Sequence, residues 1–132
     1  MGACYSVYLK ARFLNEKCAI ANLKAKIERA PQEHINYGLE DYEKRGIGTE
    51  TLDDLIRIFL ADRPYNCYEK HDEGDFTIYT NAFDASYGWE SVMMEMFDEM
   101  APFLADGSEF EIYPDSGLDR AVVKDGKAEW VS

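Results

Sequence analysis

Hydrophobic period switches repeatedly along this chain, and the switching limits the folds open to it. From Ala3 to Phe13 the residues alternate, with Cys4, Ser6, Tyr8, Lys10 and Arg12 on one side and Tyr5, Val7, Leu9 and Phe13 nearer the other. Period two with aromatic and β-branched content reads as a strand. Asn15 then stands at a helix N-cap position, and Ile20, Leu23, Ile27 and Ala30 recur at three- and four-residue spacing until Pro31.

Residues 32–50 show no sustained period. His34, Tyr37, Leu39 and Tyr42 fit one short helical turn, and Gly38, Gly46 and Gly48 interrupt anything longer. Thr51 with Asp54 has the spacing of a capping box, and Leu52, Leu55, Ile56, Phe59 and Leu60 form a helical stripe that ends before Pro64. Tyr65–Lys70 and Phe76–Ala82 read as strands joined through a tip at His71, Asp72, Glu73, Gly74 and Asp75. A third helix is expected from Trp89 to Leu104, with Trp89, Met93, Met96, Phe97, Met100 and Leu104 inward, Pro102 disturbing its last turn and Gly107 as its stop. Phe110 and Ile112 alternate with Glu109, Glu111 and Tyr113 in a further strand. Leu118–Lys124 and Lys127–Val131 follow as a hairpin through Asp125-Gly126, a strong two-residue turn signal.

The expected order is β-α-α-β-β-α-β-β-β in a single domain spanning 1–132. Without the second helix and the last hairpin it reduces to β-α-β-β-α-β. The expected class is therefore α+β: an antiparallel sheet with helices on one face and a ferredoxin-like core, extended by one helix and a C-terminal hairpin.

Charge is the second constraint. The 132 residues hold 26 acids and 14 Lys or Arg, a formal net charge of −12. That balance excludes a basic nucleic-acid-binding footprint and a polybasic membrane surface. The charge is also uneven: residues 1–66 carry ten acids and ten bases, and residues 67–132 carry sixteen acids and four bases. Between His71 and Asp119 thirteen acids occur without one Lys or Arg. Within that window Glu95 lies one turn from Glu99 and three residues from Asp98, while Glu109 and Glu111 share one face of their strand. Like charges so placed repel by a few tenths of a kcal/mol per pair. The plain reading is a solubilising surface. The alternative is electrostatic capture of a basic partner, for which concentrated single-sign charge is suited. The segment from Asp84 to Glu90 places the aromatics Tyr87 and Trp89 beside carboxylates inside the window, where Tyr87 can receive a cation and Trp89 begins the core stripe of its helix.

No reaction signature is present. Asp72-Glu73-Gly74-Asp75 is too short for an EF-hand loop, His34 and His71 lie in no zinc motif, and Gly46-Ile47-Gly48 is a lone fragment of a nucleotide loop. No cofactor, metal or catalytic group is therefore expected. Cys4, Cys18 and Cys67, odd in number and without CxxC spacing, read as buried free thiols of a reducing cytoplasm. Neither a secretory leader nor an apolar run of membrane-spanning length is visible, which also points to the cytoplasm.

In its size and its basic-free window from His71 to Asp119, the chain resembles the small acidic inhibitors of host defence encoded by phages and mobile elements, the DNA-mimicking anti-CRISPR and anti-restriction proteins. That resemblance implies a non-enzymatic inhibitor that occupies a basic, nucleic-acid-binding surface of a partner protein without touching nucleic acid itself. Asp72, Glu73, Asp75, Glu95, Asp98, Glu99, Glu109 and Glu111 would then stand in for phosphates, with Asp84 and Tyr87 beside them. Two other readings stay open. An immunity protein that neutralises a cognate basic toxin uses the same electrostatics, and a small ferredoxin-like enzyme or ligand binder would draw on His34, Tyr37 and Tyr42.

Overall fold

The computed structural model describes residues 2–29, 39–44, 46, 48–60, 67–86, 88–114 and 117–131. The elements run β1 (Gly2–Ala11), α1 (Glu16–Arg29), α2 (Leu39–Lys44), α3 (Leu52–Phe59), β2 (Glu69–Glu73), β3 (Phe76–Ser86), α4 (Trp89–Met100), β4 (Glu109–Tyr113), β5 (Asp119–Lys124) and β6 (Lys127–Val131). A 3₁₀ turn at Ala101–Phe103, with Pro102 in its first turn, ends α4. The molecule is α+β: six strands form one antiparallel sheet in the order β2-β3-β1-β4-β5-β6. It differs from a four-stranded ferredoxin-like sheet because β5 and β6 extend it beyond β4.

Period two on β1 decides which face is inside. Tyr5, Val7, Leu9 and Ala11 are buried. In register with them lie Phe83, Asn81, Tyr79 and Thr77 on β3, and Val7 and Leu9 face Ile112 and Phe110 on β4. Leu23 and Ile27 of α1, Leu55, Ile56 and Phe59 of α3, and Met93, Phe97 and Met100 of α4 join them in one hydrophobic cluster. Phe110 anchors its middle: its ring lies 5.2 Å from Phe97 and 5.3 Å from Phe59, and Trp130 meets it edge-on at 6.4 Å. Aromatic pairs in such offset and edge geometries add to the area they remove from water.

Local chemistry sets the helix starts. The Asn15 side chain accepts from the Cys18 backbone N–H at 3.1 Å, capping α1. Thr51 and Asp54 form the reciprocal capping box of α3, at 3.1 and 3.2 Å. At the other end of α3, the buried Asn81 amide donates to the Leu60 carbonyl at 2.8 Å and ties the helix to β3.

Two expectations need correction. The tip between the first hairpin strands is not five residues long: β2 reaches Glu73, and only Gly74 and Asp75 turn, with Gly74 in the left-handed region at φ 64°. His71, Asp72 and Glu73 are therefore strand residues, because β2 has exposed side chains at every position and needs no apolar alternation. The three cysteines are exposed, not buried, and none lies in a disulfide. Cys18 lies in the first turn of α1, on the side away from the core stripe.

Candidate partner-binding surface

The acids of the basic-free window fall into three places. The first is the β2–β3 hairpin, where Asp72 and Glu73 lie on β2 and Asp75 in its turn, all exposed. Glu69, just ahead of the window, begins the same strand and is exposed too. Lys70, the strand's single cation of fixed charge, is drawn away to Asp53 on α3 at 3.2 Å. Asp72 accepts from the neutral Thr77 hydroxyl at 3.1 Å, and Glu73 meets His71 at 3.8 Å with both side chains more than 60% exposed. Among the described residues no Lys or Arg pairs with Glu69, Asp72, Glu73 or Asp75.

Asp53 also fixes the base of this hairpin. It accepts from the Tyr68 hydroxyl at 3.3 Å, and the Arg57 guanidinium lies over the Tyr68 ring at 4.7 Å. Burial, reinforced by the Asp53 charge, raises the Tyr68 phenol well above its ordinary value. The same causes push Tyr79 up to about 12. Both rings stay neutral wherever the protein is folded at physiological pH.

The second place is the centre of the sheet face opposite the helices. Glu109 and Glu111 do share that face, but cations reach them from distant strands. Lys10 on β1 stands opposite Glu109 and approaches it to 3.8 Å, and Arg120 on β5 forms a close ion pair with the same carboxylate. Arg120 is also the register partner of Glu111, which accepts from the Tyr113 hydroxyl at 2.7 Å. The Glu109 side chain keeps only 16% of its exposure. Repulsion between the two acids is thus offset inside the molecule, and Glu109 is a structural charge.

The third place is α4. Glu99 is held by Lys26 of α1 at 2.5 Å, and Asp98 accepts from the Trp130 indole N–H at 2.6 Å. Glu95 is exposed. Trp89 is buried in the core cluster, as its place on the stripe implies, and Met94 packs against that cluster. Asp84, near the far end of β3, accepts from the Cys4 thiol at 3.0 Å. Tyr87, His34 and Tyr37 lie outside the described residues. Tyr42, the remaining residue of the ligand-binder reading, is a fully buried core residue of α2.

The nine described residues among the ten expected from the sequence therefore do not form one surface. Asp72, Glu73 and Asp75 lie together at the β2 edge, Glu95, Asp98 and Glu99 on a helix that touches β6 at the opposite edge, and Glu109 with Glu111 between them. Glu69 was missed because it precedes the window by two residues, although its spacing from Glu73 on one strand face could have found it. The compensating Lys10, Lys26 and Arg120 were invisible to a count of neighbouring residues. Among the described residues no helix is long and apolar enough to cross a membrane. No protein-family model matches the chain, and neither a curated protein nor a solved structure matches it.

Proposed function

We propose that this protein is a non-enzymatic acidic binding module that sets its β2–β3 hairpin against a basic, nucleic-acid-binding surface of a partner protein. One observation carries the reading: Glu69, Asp72, Glu73 and Asp75 are exposed together on one hairpin and no Lys or Arg of the described residues neutralises them. Such charge raises encounter rates with a basic surface and selects against acidic ones. A partner's arginines would exchange phosphate oxygens for these carboxylates, pair for pair, which is inhibition by mimicry of the nucleic acid. Lys70 and Tyr68, clamped to Asp53, hold the hairpin in place and so reduce the ordering cost of docking.

The same reading takes the strands β2-β3-β1-β4 as a ferredoxin-like core. Support comes from α1 lying between β1 and β2 in the chain, and α4 between β3 and β4. On that view α2, α3, β5 and β6 are additions to it.

Affinity capture from the source cell's lysate, read by mass spectrometry at about 50 and about 200 mM salt, tests the proposal. A nucleic-acid-binding protein should be retained at the lower salt and released at the higher. The triple variant Asp72→Lys, Glu73→Lys, Asp75→Lys should lose it at both. Retention of the same protein by the triple variant would overturn the reading.

A further inference from the structure

The two edges of the sheet are built differently. β2 guards its edge with three acids, a lysine and a histidine, the usual defence against strand-to-strand association. β6, at the other edge, reads Lys127-Ala128-Glu129-Trp130-Val131 and among the described residues pairs only with β5. Its free edge has a definite hydrogen-bonding face. Val123 donates to the Ser108 carbonyl at 2.8 Å and accepts from Gly107 at 3.0 Å, so its main-chain groups point toward β4. Lys124 and Val122 must then point toward β6. The two-residue turn at Asp125 and Gly126, with φ 52° and 75°, agrees, since it closes on a hydrogen-bonded Lys124–Lys127 pair. Consequently Lys127, Glu129 and Val131 bond to β5, and the N–H and C=O of Ala128 and Trp130 face outward from the sheet edge.

We propose that this edge pairs with its own copy, β6 against β6 in antiparallel register centred on Ala128, joining two sheets into one. The main chain allows that register because the outward groups of Ala128 meet those of Ala128 in the second copy. The side chains select it. Around the two-fold axis Lys127 of each copy falls opposite Glu129 of the other, twice, on the sheet face away from the helices. Within one copy Lys127 faces Lys124 across the hairpin, a like-charge pair that an acid from outside relieves. Centring on Glu129 instead would set two glutamates against each other, and centring on Trp130 would oppose Glu129 to Val131. On the helix side, Asp98, bonded to Trp130, flanks the same edge and approaches its copy, so enough salt to screen the two favours the pairing.

Sedimentation equilibrium of the full chain from about 1 to about 200 μM, in about 200 mM salt, tests this. Concentration-dependent dimer is expected. Lys127→Glu alone and Glu129→Lys alone should each weaken it at least about tenfold, because each puts like charges together twice; the double exchange should return it to within about threefold of the starting protein. Ala128→Pro removes an N–H that β5 does not use, so it should abolish the dimer while circular dichroism stays unchanged. A chain monomeric throughout the range, or a double exchange no better than the single ones, would overturn the proposal. Should Ala128→Pro unfold, the charge exchange alone decides.

Discussion

Glu73 and Glu109 belong to the same basic-free stretch, lie on strands of the same sheet and face the same side of it, yet they do different work. Glu109 keeps 16% of its side-chain exposure and is held by Lys10 and Arg120, residues 99 positions before it and 11 after it. Glu73 is 68% exposed, and among the described residues only His71 comes within ion-pair reach of it. The difference teaches that a run of like charge in a sequence is two populations once the strands are paired. Acids at the sheet centre recruit cations from neighbouring strands and hold the fold; acids on an edge hairpin have no neighbouring strand on one side and keep their charge exposed.

The largest effect expected from breaking this contrast is at the centre. Glu109→Lys removes the shared acceptor of two cations and adds a third, at a cost of about 2 kcal/mol, discounted for the partly exposed Arg120. Thermal unfolding should show a Tm lower by roughly 7 °C. On α4, Asp98→Ala takes the acceptor from the Trp130 indole and should cost about 1 kcal/mol, with a shift in tryptophan emission. Glu99→Lys, beside Lys26, should cost a little less.

A third effect is confined to alkaline solution. Tyr68 and Tyr79 have phenols raised above the ordinary value in the folded chain. Unfolded tyrosine therefore deprotonates first, so their contribution is intact below about pH 10 and is lost as pH rises toward 12. Stability measured by urea unfolding should fall across that window, and Tyr79→Phe should flatten the fall. The smallest change in stability belongs to the hairpin: Asp72→Lys, Glu73→Lys and Asp75→Lys together should move it by less than about 0.5 kcal/mol, since they break no ion pair with Lys or Arg.

Much of the fold was legible because local chemistry dictated it. The alternation of β1, the Asn15 cap, the Thr51–Asp54 box and the Asp125-Gly126 turn each act within a few residues, and the structure contains all of them. What was not legible depends on partners far apart in the chain. Nothing near Glu109 announces Lys10, and nothing near Glu99 announces Lys26; only strand register and helix packing bring them together. The end of β2 is hidden for another reason: a strand exposed at every position shows no apolar period, so its polar residues read as a loop. Cysteine number and spacing say nothing of burial, whereas the place of Cys18 off the stripe of Leu23 and Ile27 does.

The central claim is that the hairpin acids bind and the sheet-centre acids stabilise. Its most direct test compares the hairpin triple variant with Glu109→Lys in two readouts, Tm and partner capture at about 50 mM salt, the second variant assayed below its lowered Tm. The account predicts that the triple variant keeps its Tm and loses the partner, whereas Glu109→Lys loses Tm and keeps the partner. A triple variant that unfolds early, or that still captures the same protein, would contradict it.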